Sequence, residues 1–126
     1  MSRESDHDEA VGGVARLWDR EPSFTAYANP GQEHIEEYNG EWPDVVVKHS
    51  GTSVVIAVCE VETEDSVTDK EAEQWARYAS GDAHFYLYVP RGKCDDARML
   101  CEKHSIECEA IHEYLLPLES FLATEC

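Results

Sequence analysis

The chain has 126 residues, 27 of them acidic against 10 basic, for a formal net charge of −17. That length is one domain with room for a real core and no need of staples. At ordinary salt the charge disfavours nucleic acid, anionic lipid and other copies of the chain; it also fits a halophilic protein, because screening in molar salt shortens electrostatic reach to about 3 Å.

In chain order, Met1–Asp8 is polar and reads as a disordered lead-in. Ala10–Trp18 places Val11, Val14, Ala15, Leu17 and Trp18 at helical spacing, although Gly12 and Gly13 oppose it. Pro22, Pro30 and Gly31 break the pattern, and Glu33–Tyr38 suits either a short strand or a helix end. Asp44–Lys48 and Ser53–Glu62 read as strands joined by a turn at His49–Thr52. Thr68-Asp69-Lys70-Glu71 is a capping box in which each end satisfies an amide of the other. The helix it opens runs to about Ser80, with Gly81 as the residue past its end and Ala72, Trp75, Ala76 and Ala79 as its core face. Ala83–Val89 is a strand stopped by Pro90, with its aromatics read as core. Asp95–His104 is a helix with the stripe Ala97, Leu100, Cys101. Glu107–Ile111 reads as a last short strand and Pro117–Thr124 as a terminal helix. The expected fold class is α/β: residues 1–126 form a single domain, one mixed β-sheet flanked by helices.

The five cysteines, Cys59, Cys94, Cys101, Cys108 and Cys126, are odd in number and follow no recognisable signal peptide. They are expected to be reduced thiols of a cytoplasmic protein. The longest apolar run, Val54–Cys59, is too short to cross a bilayer, so no membrane partner is expected.

The chemistry of interest lies at the ends of the two hairpin strands. Alternation puts Glu60 and Glu62 on one face, with Cys59 and Val61 on the other. A turn centred near Gly51 sets Asp44 opposite about Val58, within one or two residues of Glu60. Carboxylates brought together repel and raise one another's pKa unless a cation joins them. An all-oxygen set of this kind suits Mg²⁺ or Mn²⁺, and such an ion promotes phosphodiester hydrolysis. The competing reading is a polar strand end in a glutamate-rich chain. On the following helix Gln74 and Tyr78, four apart, share a stripe with Lys70, offset from the core face. They could serve the same site; otherwise Tyr78 flanks the core and Gln74 is solvated.

Together these residues resemble the PD-(D/E)xK nuclease superfamily. Pro43-Asp44 is similar to its "PD", Glu60-Val61-Glu62 falls where "(D/E)xK" belongs, and Gln74-Trp75-Ala76-Arg77-Tyr78 resembles the QxxxY motif of the lambda-exonuclease and RecB-type branch. The resemblance spans about residues 43–111. It implies a restriction-endonuclease-like core and a DNA nuclease using Mg²⁺ or Mn²⁺. Asp44 and Glu60 would be the metal ligands, Glu62 a further catalytic residue, and Gln74 and Tyr78 the supporting pair. The chain departs from the pattern where Glu62 replaces the lysine, which leaves catalytic activity open. Lys48 or Lys70 could supply the missing cation, and Glu33, Glu36 and Glu37 are candidates for a helix-borne acid found in some members.

Cys101, His104 and Cys108, with Cys94 or His112, have a spacing zinc could use, but buried thiols on a helix also have core spacing. The alternative to a nuclease is a non-catalytic protein of the same fold acting as a protein-binding or scaffold module; an acidic mimic of DNA ranks third. DNA and a homodimer are the partners the nuclease reading implies.

Overall fold

The computed structural model describes residues 3–31, 33–116 and 122–126. It is an α/β fold built on one six-stranded mixed sheet with strand order β1-β2-β3-β4-β5-β6. In sequence the elements are α1 (Arg3–Asp19), β1 (Phe24–Ala28), β2 (Val45–His49), β3 (Val55–Val61), α2 (Asp69–Ala79), β4 (His84–Pro90), α3 (Cys94–Lys103), β5 (Ala110–Leu115) and β6 (Leu122–Glu125). The central strands β3, β4 and β5 are parallel to one another. β1 and β2 at one edge, and β6 at the other, pair antiparallel.

Helices cover both faces. Val46, Val58, Phe85, Leu87 and Val89 face α2 and α3, where they meet Ala72, Trp75, Tyr78, Ala97 and Cys101. Val45, Val47, Ala57, Cys59, Val61 and Tyr88 face the opposite way, onto Ala10, Val11 and Val14 of α1. A strand buried on both faces needs no polar alternation, which is why Val55–Cys59 is a continuous apolar run; Val54, just before β3, is 56 % exposed.

α2 begins as its sequence predicts. Thr68 is extended (φ −139°, ψ 164°) and its hydroxyl accepts the Glu71 amide at 3.3 Å. The reciprocal half of the capping box is not formed; the Glu71 side chain instead lines the cavity described below. Gly81 follows the Ser80 cap, but its φ is not in the left-handed region. A glycine is needed there because a Cβ would overlap the hydroxyl of Tyr38, the same hydroxyl that accepts the buried Ala83 amide at 3.1 Å.

Several expectations are corrected. Arg3–Asp8, read as disordered, is the first part of α1; its His7 stands where the helix reaches the candidate site. β1 was not foreseen, and its five residues are all half-buried at the sheet edge, pairing with β2. Glu33–Tyr38 is neither strand nor helix end; its only sheet-like feature is an isolated Tyr38–Glu41 bridge. The strand placed at Glu107–Ile111 begins at Ala110 and runs to Leu115. Of the terminal helix placed at Pro117–Thr124, residues 117–121 lie outside the described residues, and Leu122–Thr124 belong to β6. β6 carries Cys126 to Cys94 at the start of α3, and the two form a disulfide with Cα atoms 5.9 Å apart, an ordinary separation for such a bond. The all-reduced reading therefore holds for Cys59, Cys101 and Cys108 only. Among the described residues no helix is long and apolar enough to cross a membrane.

Candidate metal-binding carboxylate site

The hairpin register determines the site. Val45 pairs with Cys59 and Val46 with Val58, so Asp44, one residue before β2, is carried opposite Glu60. Each then bonds the other's strand. The Asp44 amide donates to Glu60 Oε2 at 3.0 Å, and the Val61 amide donates to Asp44 Oδ2 at 2.8 Å. This exchange continues the β2–β3 ladder through side chains where the backbone pairing has ended.

Glu62 lies just past the carboxyl end of β3, its amide bonded to Tyr88 O at 2.9 Å. Both its oxygens are held: Ser66 Oγ donates to Oε1 and Trp75 Nε1 donates to Oε2, each at 2.7 Å. The Tyr114 hydroxyl donates to the Glu62 carbonyl at 2.6 Å. Trp75 thus has two roles: its ring fills the core between α2 and the sheet, and its single polar atom fixes the carboxylate at the core's edge.

His7 of α1 enters from the other side of the sheet. Its Nε2 lies 3.2 Å from Asp44 Oδ1 and its Nδ1 3.3 Å from Asp8 Oδ1. A ring with carboxylates at both nitrogens favours the imidazolium, and its pKa is raised to about 9, chiefly by the bond to Asp44 against a smaller cost of burial.

These side chains line an open cavity of about 370 Å³ together with Thr63, Glu71 and Gln74. Glu60 and Glu62 are 5 % and 4 % exposed, buried acids in a chain whose other acids are largely solvated. Burial, and then the charges of Asp44 and Glu62, push Glu60 well above the usual carboxylate range. Burial likewise raises Glu62 to about 7; the Ser66 and Trp75 bonds pull it back, while Asp44 and Glu71 add to the rise.

The structure brings Asp44, Glu60, Glu62 and Gln74 to one cavity. Tyr78 is different: it is 2 % exposed in the core, and its hydroxyl reaches the site only by accepting from Gln74 Nε2 at 3.0 Å. The polar stripe foreseen for the pair is therefore half core, because α2 buries a wider arc than its alanines suggested. Neither lysine lines the cavity; Lys48 is paired with Glu36 at 2.9 Å, and Lys70 is exposed. Glu33, Glu36 and Glu37 lie in a loop, not on a helix. The zinc set is not assembled: Cys94 is in the disulfide, His104 bonds Asp69 at 2.8 Å, and His112 stacks on Tyr88.

Sequence reasoning missed His7, Ser66 and Glu71. Ser66 and Glu71 carried a usable signal, since both follow Glu62 closely on the way into α2. His7 carried none, because only the packing of α1 across the sheet brings it to Asp44.

Among the described residues no three His, Cys, Asp or Glu side chains are grouped so as to hold a metal ion by themselves. Comparison of the chain with family models, curated proteins and solved structures finds no match.

Proposed function

We propose that this chain is a Mg²⁺- or Mn²⁺-dependent nuclease of PD-(D/E)xK type, hydrolysing phosphodiesters of DNA. The observation that carries the reading is the cross-strand pairing of half-buried Asp44 with buried Glu60 beside a second buried carboxylate, Glu62, at an open cavity. The donor set fits the ion. It consists of hard oxygens, and Mg²⁺ is commonly held by one or two carboxylates with water completing its shell, so Asp44 and Glu60 suffice without a three-residue cage. A cation there would also relieve the mutual repulsion of the buried acids.

When bound, the ion supplies charge neutralisation at the phosphate and a more acidic water. The chain's own residues do the rest. Glu62, with both oxygens fixed and its pKa near 7, is placed to take a proton from the attacking water. The water oxygen forms a bond to phosphorus, the bond to the leaving oxygen breaks, and the water's proton ends on Glu62. In this reading Glu62 replaces the family lysine as a base, and His7, on Asp44, is the cationic side chain of the cavity that Lys48 and Lys70 do not provide. Gln74 orients at the rim, tied to the core through Tyr78.

The test pairs calorimetric Mn²⁺ titration of wild type and Glu60→Gln with cleavage assays on single- and double-stranded DNA at low and molar salt. Wild type should bind Mn²⁺ and cleave. Glu60→Gln should bind at least about 100-fold more weakly and remain folded, because a buried, repelled charge has been removed. No binding by wild type at millimolar Mn²⁺ defeats the reading. One observation favours a second reading, a non-catalytic scaffold of the same fold: the oxygens of Asp44 and Glu62 are already committed to hydrogen bonds or ion pairs within the protein. Metal binding without cleavage would select it.

A further inference from the structure

The loop between β1 and β2 holds an aromatic surface and runs into the site at Asp44. The rings of His34 and Trp42 stack with centroids 4.4 Å apart and planes 7° from parallel. Both residues are exposed, as is Ile35 next to them at 58 %. The loop is not loose. Asn29, buried at its base, donates to the carbonyls of Glu36 (2.8 Å) and Pro43 (2.7 Å) and accepts the amides of Ile35 (2.7 Å) and Glu36 (2.8 Å). Its own amide bonds Asp44 O at 2.9 Å. The side chain of one buried residue thus makes all four of its amide-type bonds to the backbone of the loop, and Arg77 clamps the loop at Glu41, one residue before Trp42. Two large rings are being held in water by a braced frame, and among the described residues no third ring covers them.

Trp42 is two residues from Asp44, whose amide touches Glu60. Two residues span at most about 7 Å of chain, roughly the step between neighbouring nucleotides in an extended strand. A planar platform that close along the chain to a phosphodiester-cleaving centre is within reach of a base beside the bond being cut.

We infer that the Trp42–His34 pair is a stacking platform for an unpaired nucleobase, and that the substrate of the site is single-stranded. This rests on the nuclease reading and specifies its substrate class. A chain of net charge −17 has little means of gripping phosphates, and what phosphate attraction it has is lost in salt. Stacking on an aromatic face is tolerant of sequence, because every base has a π-face. A duplex hides its base faces; a single strand offers them.

The test uses the full chain in EDTA and molar KCl, with fluorescence anisotropy of a labelled oligothymidylate, an abasic oligomer of equal length and a duplex. Wild type should bind oligothymidylate about tenfold more tightly than the abasic strand or the duplex. Trp42→Ala should fall to the abasic level, and Trp42→Phe should keep most of the affinity, which separates loss of the ring from loss of the loop. Undetectable binding, equal affinity for thymidylate and abasic strands, or Trp42→Ala binding like wild type would overturn the platform and leave the exposed pair as a protein contact. Trp42-dependent binding without Mn²⁺-dependent cleavage would support the platform while the nuclease reading fails; cleavage with Trp42-independent binding would do the reverse.

Discussion

Two acidic cavities sit at opposite ends of the same parallel strands. At the carboxyl end of β3 are Asp44, Glu60, Glu62 and Glu71. At the amino end of β4 a second cavity is lined by Asp82, Glu107 and Glu109, with His84 paired to Glu109 at 3.3 Å. By sequence composition the two are alike. They differ in burial and in what holds the carboxylates. Asp82, Glu107 and Glu109 are exposed, and water dissipates their repulsion. Glu60 is fastened by a backbone amide and Glu62 by a serine and a tryptophan, where little water reaches them. A density of acids therefore marks no site in a chain this acidic. Acids carried into low dielectric, at the cost of raised pKa, mark one.

The sharpest way to break that contrast is to neutralise one carboxylate at each end. Glu62→Gln should lower the Mn²⁺-dependent cleavage rate by about 10²- to 10⁴-fold, the usual worth of a positioned proton acceptor, with Mn²⁺ affinity moving much less. Glu109→Gln should leave both within a factor of two or so. Single-turnover rates with calorimetry decide it, and equal effects at the two ends would dissolve the distinction.

A second test is pH. Glu62 has a folded pKa of about 7 against 4.5 for the free group. Because the folded state holds the proton more tightly, this group's contribution to stability is full below about pH 4.5 and is lost as pH rises through 7. At full effect the loss is on the order of 3 kcal/mol. His7, raised from 6.5 to about 9, acts in the same direction: its contribution is full below 6.5 and lost as pH rises through 9. The metal-free protein should therefore lose stability from mildly acidic to alkaline pH, read by denaturant melts. Glu62→Gln should reduce the part of that slope below pH 7, the remainder coming from Glu60, whose pKa is also raised, and Glu109→Gln should not reduce it. Mn²⁺ affinity should move the opposite way, tightening as protons leave the carboxylates.

The smallest expected effect concerns the exposed acids as a group. Their repulsion is screened within about 3 Å in molar salt, so the melting temperature should rise with KCl into that range. Glu109→Gln should reduce the rise slightly, while Glu60→Gln, whose charge is buried, should scarcely change it. A melting temperature independent of salt would count against a high-salt origin for the net charge.

How much of this was legible beforehand depends on distance in sequence. The capping box placed the start of α2, the alternation in Glu60-Val61-Glu62 put both acids on one face, and the hairpin count brought Asp44 within a residue or two of Glu60. These are local periodicities that a chain cannot hide, because backbone geometry enforces them. β1 was illegible because a half-buried edge strand has no need of strong alternation. Tyr78 stayed open between site and core, because the width of the face that α2 buries is set by what packs on it.

What the sequence by itself determined is the α/β element order from β2 to α3, the candidate carboxylates and their shared face, since each follows from spacing along one strand, one hairpin or one helix. Only the tertiary structure decided that His7 rather than a lysine meets Asp44, that Trp75 and Ser66 fix Glu62, and that Cys94 joins Cys126. Those pairs lie 37, 13, 4 and 32 positions apart. All but the Ser66 contact require separate elements to pack against the sheet, and the energy that packs them is the burial of apolar surface, which does not encode which polar side chains will meet at its edge.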